Sequence, residues 1–275
     1  MLTAYTGEDA DVTNIREELE EGALGRVQSL VRAFGLLDEL AKSDSMTLSD
    51  LARAVSLPRS TTHRLLTTME ALRYVAFDRA TNRWSIGVQA FTVGAVFAQT
   101  RDLGKLGRSI MRSLMAEVNH CVNIAVPEGR GICYVGQVAQ NGFRPTAARP
   151  GAVLPLHTTA SGKVLMAHWT RQEFDDYVSQ SALKGRTSRS IVDADRLRGE
   201  LAIIRERGYA MDDEEYDAGL RCVAAMVHDR HGLAKGALSV SDRSPRLTRT
   251  RLDELGPTLV LAAQQMSREI AAQYF

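Results

Sequence analysis

The most regular spacing of apolar and polar residues lies in residues 47–72. Apolar side chains at i, i+3, i+4 and i+7 predict a short helix that begins after the capping pair Thr47 and Asp50. The apolar positions are Leu48, Leu51, Ala52 and Val55. A break at residues 56–58 precedes a second predicted helix, residues 58–72, because proline is tolerated in the first turn of a helix. Its predicted apolar side consists of Thr62, Leu65, Leu66, Met69 and Leu72.

The opposite side of this second helix is polar and basic. It carries Ser60, His63, Arg64 and Thr67. Two short helices joined by a tight turn can place a helix with such a face in the major groove of DNA, although a solvated pair of surface helices explains this pattern equally well. Two alternating segments, residues 74–78 and 83–86, flank a polar turn and predict a wing of two strands. The wing favours DNA binding.

A further helix is predicted to begin near Arg26 and to complete a three-helix core. The apolar residues with helical spacing are Val27, Leu30, Val31, Phe34, Leu37 and Leu40. The additional apolar residues of this segment, Leu36 among them, are expected at an edge that meets a partner subunit.

After the wing, two helices are predicted with a break near residues 102–107. The first of these helices is interpreted as a connector between two domains. Alternatively, it is the first helix of one larger domain. From residue 122 the sequence pattern changes to that of strands in hairpins interleaved with helices. This pattern predicts an α+β domain. The predicted strands are 122–127, 132–138, 209–211, 222–228 and 234–241, and the predicted helices begin at 158, 171, 194 and 247. Residues 141–155 are expected to form a loop.

The strand at residues 237–241 has two unlike faces. Leu238 and Val240 point to one side and Ala237, Ser239 and Ser241 to the other. Small polar side chains leave room for a ligand and fix its orientation, so the second face suits the floor of a binding site. A strand surface that faces solvent explains the same alternation equally well.

Composition and charge narrow the function classes. The chain has 275 residues, which is enough for two domains. It contains no apolar run of about 18 residues and no charged leader, so we expect neither a membrane span nor a signal peptide. We therefore expect the protein in the cytoplasm. Three cysteines without a CxxC pair argue against a zinc ribbon or a disulfide framework. Residues 23–99 carry nine Lys or Arg against six Asp or Glu, an excess too small for a general polyanion binder.

Sequence motifs in both halves resemble the IclR family of bacterial transcriptional regulators. The matching motifs are TLSDLA, SLP, RSTTHRLL, RYVAFD and RWSIG in the first half, and PLHTTASGK, GYAMDDEEYDAGLRCVAA and LSVS in the second. Ser56 and Thr62 stand where the family usually has glycine and valine, and we expect slightly lower stability from these hydroxyls rather than lost function. Met226 replaces a proline that is usual in the family.

The resemblance implies an α+β protein with an N-terminal winged helix-turn-helix domain, a linker helix, and a C-terminal GAF-like antiparallel sheet with flanking helices. The corresponding segments are a disordered acidic tail at 1–22, the DNA-binding domain at 23–86, the linker helix at 87–100 and the effector-binding domain at 101–275. No catalytic residue, cofactor or metal is expected.

The sequence patterns and the resemblance together indicate which residues bind DNA and which bind a small effector, and the effector positions that the resemblance implies are Ala160, Ser161, Asp212, Cys222, Ser239 and Ser241. Operator DNA is expected to contact Arg59, Ser60, Thr61, His63, Arg64, Thr67, Arg79, Thr81 and Arg83, in a homodimer or a dimer of dimers. A small carboxylate or carbonyl metabolite is expected to contact Phe143, Leu154, Ala160, Ser161, Asp212, Leu220, Cys222, Ser239 and Ser241. The unpaired amides at the start of the helix after Thr158 suit a carboxylate. Arg144 and Arg149 could pair with it, or be solvated loop residues.

The implied function is a ligand-responsive repressor of a catabolic operon, with a transcriptional activator as the alternative. A cysteine hydrolase with Cys222 as nucleophile, His228 as base and Asp212 as orienting group is disfavoured, because Cys222 lies in an apolar strand. A metal site at His228, Asp229 and His231 is disfavoured because a polar hairpin turn explains these residues. The size of the second half disfavours a DNA-binding protein without a ligand.

Overall fold

The computed structural model describes residues 27–100, 103–140, 147–181 and 183–272. The chain divides into two compact units at residue 100. The predicted acidic tail at residues 1–22 lies outside the described residues. Among the residues that are described, no helix has both the length and the apolar character needed to cross a membrane.

The N-terminal unit consists of helices packed with a small hairpin. Its elements are α1 (Gln28–Leu40), α2 (Leu48–Ala54), α3 (Arg59–Ala71), β1 (Val75–Asp78), β2 (Arg83–Ile86) and α4 (Val88–Thr100). The hydrophobic core joins all three first helices to the hairpin through Leu36, Leu40, Leu51, Leu66 and Trp84. The strands β1 and β2 are antiparallel, so this unit has the predicted winged helix-turn-helix architecture.

Local interactions explain where α2 begins and where the turn follows it. The Thr47 hydroxyl accepts from the Asp50 amide at 3.2 Å and donates to the Asp50 carboxylate at 2.7 Å, which confirms the predicted capping pair. Ser56 has φ of +53°, a left-handed conformation that glycine adopts without strain. We therefore expect any small loss of stability at Ser56 to come from backbone strain rather than from its exposed hydroxyl. The hydroxyl of the buried Thr62 donates to the Pro58 carbonyl at 3.1 Å, so this hydroxyl has a hydrogen-bond partner.

Two predictions about the packing of this unit are wrong. In α1 the buried residues are Leu36 and Leu40, whereas Phe34 is 60% exposed. The predicted core residues Val27, Leu30 and Val31 are exposed as well. Leu36, predicted at a subunit edge, is thus in the core, because the helix turns a different side toward α2 and α3. Leu72, predicted inside, is the C-terminal cap of α3 and is 60% exposed.

The C-terminal unit is a six-stranded antiparallel sheet with helices on both faces. Its elements are α5 (Leu103–Val118), β3 (Cys121–Glu128), β4 (Gly131–Val138), β5 (Val153–Pro155), α6 (Ala160–Met166), α7 (Arg171–Ser181), α8 (Ala194–Arg207), β6 (Tyr209–Asp213), β7 (Leu220–His228), β8 (Ala234–Arg243) and α9 (Arg249–Ala272). The strand order is β5-β4-β3-β8-β7-β6, and all neighbours are antiparallel. The predicted α+β fold class is confirmed, although β5 lies inside the segment predicted as a loop.

The two faces of the sheet carry different cores. Helices α5 and α9 pack on the side of Val122, Val223, Leu238 and Val240. Helices α6, α7 and α8 pack on the side of Tyr134, Cys222 and Ala237. The alternation predicted for residues 237–241 is therefore present, and it separates an aliphatic face from a face with small and polar residues.

Candidate functional site

Helix α3 turns a polar surface away from the core of the N-terminal unit. Thr62, Leu66 and Met69 are buried against the other helices. On the opposite side, the predicted DNA contacts are exposed, except for the half-buried Thr61. The exposed residues are Arg59, Ser60, His63, Arg64 and Thr67. The Thr67 hydroxyl donates to the His63 carbonyl at 2.7 Å, so its oxygen remains available only as an acceptor.

The wing is held together by side-chain contacts that the sequence pattern did not predict. Asp78 accepts from the Ala80 amide at 2.9 Å and from the Thr81 hydroxyl at 2.6 Å. Arg83 is half-buried, and its guanidinium donates to the Ser45 hydroxyl at 2.8 Å and to the Ser45 carbonyl at 2.7 Å. Arg79 is exposed. Of the predicted wing contacts, Arg83 thus also anchors the hairpin to the segment before α2.

Two rows of side chains cross the sheet on the face covered by α6. In the first row Cys121 lies opposite Ser241, Ser241 opposite Cys222, and Cys222 opposite Asp212. In the second row Gln137, Asn123, Ser239, Ala224 and Ala210 are opposite one another in turn. We call these two rows the polar face. Ser239 and Ser241 are buried, so the alternative of a strand surface that faces solvent is wrong.

Helix α6 lies over this polar face. It packs against β7 and β8, and Ala160 belongs to the same core cluster as Cys222. Ala160 and Ser161 are fully buried. The Thr159 hydroxyl accepts from the Gly162 amide at 3.1 Å, so one of the donors at the helix start already has a partner. The structure thus brings Ala160, Ser161, Asp212, Cys222, Ser239 and Ser241 to one side of the sheet.

Four buried polar atoms in this region lack a hydrogen-bond partner of normal geometry among the described residues. They are Thr158 Oγ1, Ser161 Oγ, Glu215 Oε2 and Ser239 Oγ. A buried polar atom without a partner costs about 1–3 kcal/mol. A polar ligand that reaches the polar face would supply hydrogen bonds that this chain does not make for itself.

A buried cluster of charged groups lies at the β6 edge of the polar face. Lys163 Nζ donates to Glu215 Oε1 at 2.5 Å, and both residues are buried. Asp212 Oδ1 accepts from the amides of Glu215 and Tyr216 at 2.7 and 3.3 Å. Burial, and then the nearby Glu215 carboxylate, raise the pKa of Asp212 to about 7. Asp212 is therefore about half protonated near pH 7, and its neutral form does not repel an acidic ligand as a carboxylate would.

The other predicted effector residues are less central. Leu154 is buried on β5 opposite Ile132. Leu220 points to the same face of the sheet as Cys222, but it lies at the end of β7, where it pairs with Arg243. Arg149 is exposed. Phe143 and Arg144 lie outside the described residues.

The rival chemical sites do not form. Burial raises the pKa of the Cys222 thiol far above its usual range, and this thiol contacts the Val223 carbonyl. His228 Nδ1 lies 2.9 Å from the carbonyl oxygen of Asp229. Asp229 Oδ1 accepts from the amides of His231 and Leu233 at 2.9 and 3.0 Å, so these residues close a hairpin turn. Among the described residues, no group of three potential metal ligands comes together.

Comparisons with known proteins identify the family. The family model of the bacterial transcriptional regulator IclR C-terminal domain matches residues 96–268, and that of the IclR helix-turn-helix domain matches residues 29–79. The chain belongs to the IclR family. This protein is therefore a DNA-binding transcriptional regulator, and the hydrolase alternative is set aside.

Curated relatives of the IclR family carry repressor names. The acetate operon repressor of Salmonella typhimurium is 36% identical over 246 residues, which are 88% of this chain and 90% of the relative. The transcriptional repressor AllR of Escherichia coli is 34% identical over 241 residues, which are 87% of this chain and 89% of the relative. Both alignments are long enough to include residues of the N-terminal and the C-terminal unit.

Solved IclR-family structures share the fold. A transcriptional regulator from Rhodococcus sp. RHA1 has a TM-score of 0.76 at 27% identity and covers 90% of this chain and 99% of its own. The Thermotoga maritima IclR has a TM-score of 0.75 at 24% identity and covers 90% of this chain and all of its own. An IclR homologue from Microbacterium hydrocarbonoxydans was solved with 4-hydroxybenzoate, and it has a TM-score of 0.74 at 21% identity and covers 89% of this chain and 99% of its own.

Sequence patterns missed several polar residues of this IclR-family effector unit. Asn123 and Gln137 interrupt apolar strands, and Lys163 lies in a helix whose other residues are small or apolar. A polar residue at a buried strand position is the signal that could have identified them, because such a group needs a partner. The partners themselves are distant in sequence.

Proposed function

We propose that this protein represses transcription by binding operator DNA as a homodimer, and that a small carboxylate or carbonyl metabolite releases it. The repressor names of both relatives described above support repression over activation. The proposed division of the chain into functional segments is an acidic tail at 1–22, a DNA-binding domain at 23–86, a linker helix at 87–100 and an effector domain at 101–275. The protein is proposed to act in the cytoplasm, and a catabolic operon is the proposed target.

The exposed polar side of α3 supports recognition of bases in the major groove. Arg64 lies on this side, and arginine can pair with guanine through two hydrogen bonds. Arg79, Thr81 and Arg83 are proposed to contact the backbone or the minor groove beside it. A dimer would read two half-sites about one helical turn apart, or a multiple of it.

Exposed apolar side chains in the N-terminal unit support dimerisation. Phe34 on α1 and Phe91 on α4 are 60% and 73% exposed. Further exposed apolar residues are Val27, Leu30 and Val31 on α1, and Val88, Val93 and Val96 on α4. A soluble monomer rarely exposes so many large apolar groups close together in the chain. A dimer of dimers through the C-terminal domains is proposed as the higher assembly.

The buried hydroxyls of the polar face support an effector site in the C-terminal unit. Ser161 Oγ and Ser239 Oγ lack a hydrogen-bond partner of normal geometry among the described residues. The pKa of Asp212, raised to about 7, allows this carboxyl group to be neutral beside an acid. A tenfold shift in operator affinity requires about 1.4 kcal/mol of differential effector binding, which is within reach of one or two hydrogen bonds. We propose that the shift is transmitted through the helix at residues 87–100.

Replacing the two serines of β8 tests this proposal. The variant Ser239→Ala with Ser241→Ala is expected to bind operator DNA as the parent does, but to require at least tenfold more acid for release, because two hydrogen bonds to the effector are lost. DNA selected from a random duplex pool serves as operator, and fluorescence anisotropy follows release by pyruvate, lactate and 4-hydroxybenzoate. In vitro transcription from a promoter that carries the selected site distinguishes repression from activation.

The aliphatic face provides a matched control for the two serines. Leu238→Val shortens a buried side chain on the same strand without contact to the polar face and should leave the acid concentration for release unchanged. A serine variant that responds at the parental concentration would exclude the polar face as the effector site. The segment at residues 143–149 would then be the next candidate.

A further inference from the structure

Asn123 lies within the polar face and hydrogen-bonds on both sides. Its Nδ2 atom lies 3.0 Å from Ser241 Oγ, and its Oδ1 atom lies 2.8 Å from Gln137 Nε2. Asn123 is fully buried. The hydrogen bond to Ser241 allows Asn123 to act on a bound molecule through the neighbour that it orients.

One backbone carbonyl fixes the direction of every hydrogen bond in this chain of side chains. Gln137 Nε2 lies 2.8 Å from the carbonyl oxygen of Ala148, and a carbonyl oxygen can only accept. The amide nitrogen of Gln137 must therefore face both Ala148 and Asn123, so the Asn123 atom opposite it is the acceptor Oδ1. The Asn123 nitrogen then faces Ser241, whose hydroxyl oxygen accepts.

A hydroxyl that accepts from Asn123 still has its own hydrogen to donate. The side chains opposite Ser241 on the two neighbouring strands are the thiols of Cys121 and Cys222. Sulfur is a weak acceptor, so neither thiol competes strongly with an oxygen for this hydrogen. The Ser241 hydroxyl is thus polarised as a donor before any ligand arrives.

We propose that Asn123 is a positioning residue which, held by Gln137 and the Ala148 carbonyl, sets Ser241 as a hydrogen-bond donor to the effector. The effector then presents an acceptor oxygen, from a carboxylate or a carbonyl group, to Ser241. A group that can only donate, such as an ammonium, binds less well there, because Asn123 already donates to the Ser241 oxygen and the hydroxyl hydrogen would be left without an oxygen acceptor. This inference rests on the proposed effector site in the C-terminal unit.

A double-mutant cycle tests whether Asn123 acts through Ser241. Calorimetry measures the binding of pyruvate and of 4-hydroxybenzoate to the full chain and to its Asn123→Ala, Ser241→Ala and doubly substituted variants. Ser241→Ala is expected to weaken binding about tenfold or more, since a hydrogen bond to a charged acceptor is lost. Asn123→Ala is expected to weaken binding severalfold in the parent and not at all when Ser241 is alanine.

Asn123→Asp provides a second variant of nearly unchanged size. Its carboxylate can still accept from Gln137 but would also accept from Ser241, which turns the hydroxyl hydrogen away from the effector. Part of its loss in affinity should disappear in the Ser241→Ala background, whereas repulsion by the new charge should remain. Ile124→Val, which alters a buried residue on the other face of the same strand, should leave affinity unchanged.

Each outcome distinguishes this inference from the function on which it rests. If the parent binds either acid and Asn123→Ala weakens binding equally with and without the Ser241 hydroxyl, Asn123 does not act through Ser241. The same conclusion follows if neither Asn123 variant changes affinity. If the parent binds neither acid, or Ser241→Ala binds as the parent does, the proposed effector site is itself wrong and the inference is overturned with it.

Discussion

At the scale of single residues, the charged groups at the β6 edge depend strongly on one another. Lys163 and Glu215 form a buried ion pair, and Asp212 accepts from the Glu215 amide. Burial also raises the pKa of Glu215, which Lys163 opposes. Two carboxylates and one ammonium cannot all be charged here without a net negative charge in the core. Asp212 is the carboxyl group that holds a proton up to about pH 7, because its pKa is raised to about 7.

The first residue-scale prediction concerns the pH dependence of stability. The folded protein binds a proton at Asp212 up to about pH 7, whereas the unfolded chain releases it near the ordinary value of 3.8. The stabilising contribution of this proton is fully present below about pH 4 and is lost as the pH rises to about 7. Asp212→Asn mimics the neutral form, so its free energy of unfolding relative to the parent should rise by up to about 1.4 kcal/mol per pH unit in this window.

Urea unfolding between pH 4 and 8 measures this difference. Above about pH 8 the difference between variant and parent should be constant, since both states of the parent are then deprotonated. Asp253→Asn, which changes a half-exposed carboxylate on α9, should show no comparable slope. A difference between Asp212→Asn and the parent that does not vary with pH would show that Asp212 is already ionised in the folded protein at low pH.

At the scale of elements, the arginines proposed to contact DNA on α3 and on the wing differ in their contacts within the N-terminal unit. Arg64 is exposed on the outer side of α3, whereas Arg83 holds Ser45 through two hydrogen bonds. An exposed arginine can be removed with little change in folding. Replacing Arg83 removes contacts between β2 and the segment that precedes α2, so it disturbs the shape of the unit as well as its charge.

The element-scale prediction separates these two roles. Arg64→Ala should weaken operator binding by about 1–3 kcal/mol and relax the preference at one base position, with an unchanged melting temperature. Arg83→Ala should lower the melting temperature and weaken binding to all sequences alike. Anisotropy with the selected operator and with single-base variants gives the specificity, and thermal unfolding gives the stability. Arg251→Ala on α9 is the control, and unchanged affinity of Arg64→Ala would show that α3 is not the recognition helix.

At the scale of the whole molecule, two regions with exposed apolar side chains are proposed to mediate different steps of assembly. The first lies on α1 and α4 in the N-terminal unit and includes Phe34 and Phe91. The second lies beside Leu261 on α9, where a groove of about 440 Å³ runs between α9 and α5 in the C-terminal unit. The first is proposed to form the dimer and the second to join dimers.

The molecular-scale prediction is that charges placed on the two surfaces break different assemblies. Phe91→Asp should convert dimers to monomers, because a carboxylate cannot be buried in an apolar interface without a partner. Leu261→Asp should leave dimers intact and remove only the tetramer. Sedimentation velocity at micromolar concentration, with and without operator DNA, reports the assemblies, and circular dichroism checks folding. A parent that sediments as a monomer, or Phe91→Asp that sediments as the parent does, would contradict the proposed dimer surface.

The sequence by itself determined most of the elements and their types, because these depend on neighbours within a few residues, whereas β5 formed in a segment predicted as a loop. The helical spacing in residues 47–72, the capping pair Thr47 and Asp50, and the alternation at Leu238 to Ser241 are all local patterns, and the structure contains each of them. The family motifs supplied the arrangement of these elements into two units. Helix ends and strand ends shifted by a few residues, since terminal residues depend on what they pack against.

Only the tertiary structure decided which surfaces are buried and which polar groups are partners. The apolar residues of α1 fit two helix faces, and contact with α2 and α3 selected Leu36 rather than Phe34 for the core. The pairs Asn123 with Ser241, Lys163 with Glu215 and Arg83 with Ser45 are separated by 118, 52 and 38 positions. No local pattern encodes such pairs, because the free energy of burying a polar group depends on the partner that the fold brings to it.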